Sequence, residues 1–259
     1  MRKKFLFIII GTLLLFPQIV LPLYSAEQRD IELKAHEIVA RVDSILDYPK
    51  GIIKGSMQHI TPDGRSRSVN LKGFISEDDY LFTFTSKKRG EEQRILYNLR
   101  GEDIWVYHVF AIKLFNKRDI DRFNRILSTN YYYIDLSNAD LQSNYNAEII
   151  GDSIIKGYEC YELKLYPIFK KGEYGLLTLY VEKSDYIPLR IDYHDTDTVI
   201  FKTLSISRVI TEKNRIIPIR YDMLDILKGT LTILEFNSFD EDIDLDRNIF
   251  RHQNLGLRK

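Results

Sequence analysis

The sequence predicts a mainly β fold, an antiparallel meander rolled into a barrel or a strongly curved sheet, with two helical excursions. Three observations carry this. Apolar and polar residues alternate over successive short segments, the period of a strand with one buried face. Turn signals recur about every eight to twelve residues. Tyrosine (17) and phenylalanine (14) are abundant while glycine (13) and proline (7) are scarce, as in strands with much aromatic surface to bury.

The clearest alternation lies between Gly157 and Tyr193. Tyr161, Leu163 and Leu165 alternate with Glu162, Lys164 and Tyr166; Leu177, Leu179 and Val181 alternate with Thr178, Tyr180 and Glu182. Leu189, Ile191 and Tyr193 then stand opposite Arg190 and Asp192, after a Lys183-Ser184-Asp185 turn and a strand-opening Pro188. Three consecutive antiparallel strands follow from this pattern, with the face carrying the leucines expected to be the apolar floor.

At the start of the chain, Arg2, Lys3 and Lys4 precede an apolar run from Phe5 to Val20, then Pro22-Leu23-Tyr24-Ser25-Ala26. A charged start followed by an apolar stretch marks a secretory signal, so residues 1–26 are expected to direct export and 27–259 to fold as one domain. Cleavage after Ala26 would leave bulky Tyr24 three positions back, and the run to Leu23 approaches bilayer-spanning length. An uncleaved anchor is therefore the alternative. No cysteine lies near this leader, which excludes N-terminal lipidation of the bacterial lipoprotein kind.

From Gln28 to Asp47 the period changes to that of a helix. Ile31, Ala35, Ile38, Val39, Val42, Ile45 and Leu46 form one stripe, and Tyr48-Pro49 ends it. Five strands are expected next, at Ile52–Ile60, Ser66–Ile75, Tyr80–Phe84, Arg94–Leu99 and Ile104–His108. Between Phe110 and Ser153 the alternation is lost. Ile112, Phe115, Ile120, Phe123, Ile126 and Leu127 sit among Lys113, Lys117, Arg118, Arg122 and Arg125, followed by Tyr131-Tyr132-Tyr133 and Leu136 to Leu141. This reads as a short amphipathic helix or an irregular excursion. Connections of about forty residues are uncommon unless functional, so it is either core packing or a lid over a cavity. Strands at Val199–Val209, Ile216–Met223 and Thr230–Phe239 bring the expected total to about eleven, and a polar tail with Phe250 and Leu255 closes the chain.

Composition and local motifs exclude several functions. Acidic and basic residues balance at 37 each, without the basic excess of a nucleic-acid binder. The single cysteine, Cys160, forms no intrachain disulfide and reads as a buried strand residue, since no base is arranged beside it for a nucleophile. Gly151-Asp152-Ser153-Ile154 resembles the serine block of GDSL-type lipid hydrolases. No histidine has an aspartate three positions before it, however, and Ser153 is expected in a turn. Asp192, His194, Asp195 and Asp197 would suit a solvated hairpin better than a metal site, and Asp240, Glu241, Asp242, Asp244 and Asp246 lack the glycine and terminal glutamate of a calcium loop. Arg118, Arg122 and Arg125, with Lys113 and Lys117, would either meet lipid headgroups or an anionic partner at the lid, or form a solvated helix face. No catalytic residue, metal ligand or cofactor is expected.

Several phrases in order resemble the outer-membrane lipoprotein-sorting protein family, the LolA-like periplasmic carriers. An Asp63-Gly64 turn precedes a strand bearing Trp105-Val106-Tyr107; Asp135-Leu136-Ser137-Asn138-Ala139-Asp140-Leu141 is similar to the family's D-F-S-Y-E-D-L. Its G-x-x-C-Y-x-L-x-x-x-P matches Gly157 through Pro167, and its P-L-R and l-x-K phrases match Pro188-Leu189-Arg190 and Phe201-Lys202. The chain departs from the family at Ser86-Lys87, where a proline is usual, at Ile134 in place of a glycine, and at Leu136 in place of phenylalanine. The resemblance covers most of residues 27–259. It implies a half-open, strongly curved antiparallel barrel covered by the N-terminal helix and a helical lid, binding acyl chains of lipoproteins or other lipids without chemistry. Burying each methylene contributes roughly 0.8 kcal/mol to such binding. On this basis Ile38, Val42, Phe82, Phe84, Trp105, Leu163, Leu165, Leu177, Leu179 and Ile191 are expected to line the cavity. The lid is expected to carry Phe115, Phe123, Ile126, Leu127, Leu136 and Leu141. The implied setting is a periplasmic monomer with an inner-membrane exporter as a further partner. The competing reading is an accessory or sensor subunit docking on a membrane exporter or signalling protein, and a third is a lipid hydrolase using Ser153.

Overall fold

The computed structural model describes residues 26–86, 91–137, 140–168, 174–241 and 243–257. The expected leader up to Ser25 lies outside these residues, as do Lys87, Asn138, Ala139 and Asp242 of the segments singled out above. Helix α1 (Ala26–Leu46) leads into β1 (Gly51–Ile60), β2 (Ser66–Ile75), β3 (Tyr80–Ser86), β4 (Glu91–Asn98), β5 (Asp103–His108) and β6 (Lys113–Lys117). A strap of 3-10 turns and the one-turn helix α2 (Leu141–Asn144) follows. Then come β7 (Tyr145–Ile155), β8 (Tyr158–Pro167), β9 (Leu176–Glu182), β10 (Pro188–His194), β11 (Ile200–Glu212), β12 (Arg215–Asp225) and β13 (Thr230–Asp240).

All thirteen strands join one antiparallel sheet in the order β6-β5-β4-β3-β2-β1-β13-β12-β11-β10-β9-β8-β7. Because β1 pairs with β13, the sheet grows outward as two wings whose free edges are β6 and β7, strands adjacent in the chain. The barrel is thus half-open. The strap connects one free edge to the other and has to cross the open side. Register shifts at Lys54/Gly55, Ile149/Gly151, Pro188/Arg190, Tyr193/His194 and Ile206–Val209 insert extra residues. Bulges of this kind add local twist and bend strands, which is how so wide a sheet curves.

Thirteen strands rather than eleven are present because both strands flanking the strap escaped the pattern. In β7 the wet face carries Ile150 and Ile154, 42% and 73% exposed, so apolar residues stand on both parities and period two is lost. In β6 the inward and outward positions are both half-exposed, which removes the contrast that marks a strand. The helical excursion expected over the strap is present in short pieces. Asp119, Leu127, Ser128 and Asp140 adopt positive φ values of 45°, 46°, 57° and 33°, and each breaks a helix where it stands. What remains is 3-10 turns at Asp119–Phe123, Ile126–Ser128 and Tyr133–Leu136.

Two faces of the sheet are buried by different means. On the concave face, the cross-strand rows Ile75–Tyr80–Tyr97–Ile104 and Gly73–Phe82–Ile95–Val106 are almost entirely enclosed. Helix α1 covers β7 and β12 with Ala35, Ile38, Val39 and Val42, the isoleucine and each valine contributing roughly 1.5–3 kcal/mol. Ile31, placed on the same stripe by its spacing, is instead 43% exposed. On the convex face, Phe74, Leu81, Leu96 and Trp105 form a row covered by the C-terminal tail through Phe250 and Leu255.

Candidate functional site: a cavity under the strap

Between the strap and the β9–β13 wing lies a cavity of about 650 Å³, within the range of small-molecule sites. Its floor is Leu177, Ile191, Tyr193, Leu204, Tyr221 and Leu234; Leu46 and Tyr48 close the side after α1. The strap contributes Phe123, Tyr131, Ile134, Leu136 and Leu141, and the rim carries Arg100, Glu102, Asp119, Arg122 and Asp140. Gly101 shapes this rim. Its φ is 90°, and a Cβ there would run into Ser137 of the strap. Glycine at this turn lets the strap approach the β4–β5 connection.

Of the residues expected to line the cavity, Leu177 and Ile191 do so. Ile38, Val42, Phe82, Phe84, Leu163, Leu165 and Leu179 instead pack in the continuous core beside it. Trp105 is on the convex face, stacked on His252 with ring centroids 4.1 Å apart and its indole N–H donating to Asp103. Alternation places Trp105 correctly on a strand, but only pairing with Leu96 tells which face it takes. Of the lid candidates, Phe123, Leu136 and Leu141 face the cavity. Ile126 is fully buried in the core, Leu127 packs at its edge and Phe115 is an exposed β6 residue packed edge-on to His108. The wall residues Tyr48, Leu204, Tyr221 and Leu234 were not foreseen as such, since their exposure to a void depends on strand curvature.

A buried charge cluster, also unforeseen, stands beside the cavity. Lys202 Nζ lies 2.7 Å from Asp135 Oδ2, with both side chains at most 2% exposed. Tyr174 OH donates to Asp135 Oδ1 at 2.5 Å and sits 2.5 Å from the ammonium, while Tyr132 N–H donates to Asp135 Oδ2 at 2.7 Å. The ammonium lies 4.0, 4.5 and 4.9 Å from the ring centres of Tyr132, Tyr193 and Tyr174, an aromatic box for a cation. Burial, with the Asp135 charge added, pushes the Tyr174 phenol far above its ordinary value, so it stays a donor. The two residues come from the D-F-S-like and l-x-K-like phrases of the sequence, and only the fold brings them together.

Further polar contacts tie the strap down. Arg125 donates to Asp225 at 2.5 Å. Burial alone would raise the Asp225 carboxyl; the hydrogen bond from Arg125, the Lys228 backbone N–H and the two nearby positive charges outweigh it and hold that carboxyl below its ordinary value. Asn130, fully buried, donates to the carbonyls of Met223 and Thr230 at 2.9 and 2.6 Å, and Tyr131 OH donates to the Tyr221 carbonyl at 3.2 Å. On the other wing, Tyr97 OH donates to the Tyr133 carbonyl at 2.8 Å. The basic residues of the strap therefore do not share one face: Arg125 is an anchor, Arg118 is turned to Asn116, and Arg122 faces the cavity.

The remaining chemical candidates occupy structural positions. Ser153 lies within β7 opposite Cys160, not in the expected turn, and its hydroxyl is buried. The Cys160 thiol is enclosed, and burial raises its pKa. Asp192 accepts from Arg190 and Thr203, the His194 ring contacts Thr178 and the Thr198 carbonyl, and Asp195 accepts from the backbone of Asp197 and Val199. These side chains do not converge. Among the described residues no group of three His, Cys, Asp or Glu side chains gathers as a metal set, and no helix is long and apolar enough to cross a membrane.

The half-open curved sheet with its N-terminal helix is the fold of LolA-like proteins. A family model described as "Uncharacterized protein" matches residues 76–256, and the chain belongs to that family. The structure is similar to a DUF1329 family protein from Desulfovibrio piger, with a TM-score of 0.75 and 18% identity over 87% of this chain and 99% of that one. It is also similar to a domain from Vibrio parahaemolyticus described as outer membrane lipoprotein-sorting, with a TM-score of 0.74, 18% identity and the same coverages. A LolA superfamily protein from Nitrosomonas europaea matches with a TM-score of 0.70 and 20% identity over 85% and 99%. No curated protein matches the chain.

Proposed function

We propose that this protein is a periplasmic carrier or chaperone that holds acyl chains of lipids or lipoproteins in its cavity, without catalysing a reaction on them. In this reading residues 1–26 direct export, residues 27–259 form the carrier, and cargo passes between a membrane exporter and an acceptor. The observation that supports it most is the void itself. An aromatic-walled space of about 650 Å³, open at a charged rim and set beside a well-filled core, has the size and lining of a site for a small amphiphile. The rim opens beside a strap that joins the two sheet edges, so entry requires moving a connection and not a core strand. A subunit acting only by docking would have no use for the space.

Native mass spectrometry of the purified protein and titration with a fluorescent acyl probe test the reading. Lipid is expected to co-purify, and the probe is expected to bind wild type. Leu204→Trp, which places an indole into the void, should lose most of that binding while keeping the fold. Protein free of lipid that takes up no probe would sink the proposal.

A further inference from the structure

Arg122 is the one rim cation whose hydrogen-bonding capacity is left unused among the described residues. It stands on the strap's first 3-10 turn and lines the cavity rim. One Nη2 hydrogen bond, 2.6 Å to the Gly101 carbonyl, holds the guanidinium in place. Its Nε–H is buried and has no acceptor among the described residues. Its neighbour Arg100 has Asp78 at 3.3 Å and Asp47 at 3.8 Å, and the deeper Lys202 has Asp135, whereas no carboxylate lies within ion-pair reach of Arg122 among the described residues. Glu102 and Asp119 are the nearest rim carboxylates by charge effect, and both stay outside that reach.

A partly buried cation with an unused donor is costly, and native proteins rarely leave such a group without a partner. The planar guanidinium offers donors that match an oxyanion, and a carboxylate or phosphate in the cavity would accept from its terminal nitrogens. From this arrangement we infer that the cavity takes a single-headed anionic amphiphile. Its acyl chain would lie along Leu177, Ile191 and Leu204, and its carboxylate or phosphate would sit against Arg122. The inference rests on the carrier reading and narrows it, because a neutral diacylglyceryl group offers no oxyanion to this position.

The test compares three probes of equal chain length: a fatty acid, its methyl ester and a lipid phosphate monoester, each titrated against wild type, Arg122→Gln and Arg122→Lys. Wild type is expected to prefer the acid or the phosphate over the ester by about tenfold or more, the range for hydrogen bonds to a charged group. Whichever anion is preferred identifies the head. Arg122→Gln should bind all probes as weakly as wild type binds the ester, and Arg122→Lys should recover part of the preference. Thermal melts of the variants check folding, and the wild-type ratio needs no variant. Equal binding of ester and anions by wild type overturns this inference and leaves the carrier reading standing. Failure of all three to bind overturns both.

Discussion

The two wings of the sheet share one curvature and fill their concave sides in opposite ways. On the β2–β6 wing, Phe82, Phe84, Tyr97, Ile95 and Val106 interlock, and the strap's Ile126 and Tyr133 pack down onto them. Phe82 contacts Tyr48 and Tyr97 edge-on, with centroids 5.4 and 5.9 Å apart. On the β9–β13 wing, leucines, an isoleucine and tyrosines line a void, and a buried ion pair holds the strap at its border. One wing is a scaffold made rigid by aromatic packing. The other keeps space, and the cost of that space is offset by the first.

Three changes probe this division. The largest effect is expected on removing the cation of the buried pair. Lys202→Met leaves Asp135 charged and enclosed, and should lower stability by about 3–5 kcal/mol in chemical denaturation. The double variant Lys202→Met with Asp135→Leu should recover much of that loss, because no uncompensated charge remains. A single variant as stable as wild type would show that the pair is not what fastens the strap. Next, Phe82→Ala empties the packed wing and should also cost about 3–5 kcal/mol, at the lower end if Tyr48 relaxes into the gap. Tyr48 touches both Phe82 and the cavity, so acyl-probe affinity of the folded fraction should stay within about twofold only if that ring keeps its place. A large loss of affinity would mean the wings are not independent.

The smallest effect concerns pH. Asp225 is held below the ordinary carboxylate value of 3.8 by Arg125 and Lys228, against the effect of burial. A depressed folded value means its contribution is fully present above that range and is lost as pH falls through the folded value. At neutral pH, Asp225→Asn should cost about 1.5–3 kcal/mol, the worth of a hydrogen bond to a charged group. The difference from wild type should shrink on acidification below pH 3.8. A gap between wild type and variant that stays constant down to acid pH would remove Asp225 from the account of the strap.

Much of this molecule is determined locally. Period-two alternation and turn spacing specify eleven of the strands, because each strand's own side chains record which face is wet. The N-terminal helix is legible for the same reason, and it spans Ala26–Leu46 where Gln28 to Asp47 is expected. The order of the family-like phrases pointed to the curved, half-open sheet. Alternation could not say which parity faces inward, which is why Trp105 was assigned to the cavity and lies on the convex face. It also fails where exposed isoleucines blur the wet face, as Ile150 and Ile154 do in β7, or where both faces are half-exposed, as in β6. The site depends on contacts far apart in the chain. Asp135 and Lys202 are 67 residues apart, and Arg125 and Asp225 are 100 apart. Each pair exists only because β1 closes on β13 and forces the strap across the open side. The sequence alone determined that there would be a curved sheet with an apolar concave face. The tertiary structure alone decided which part of that face is packed and which is left open, because a void is a property of how distant surfaces fail to meet and no single residue encodes it.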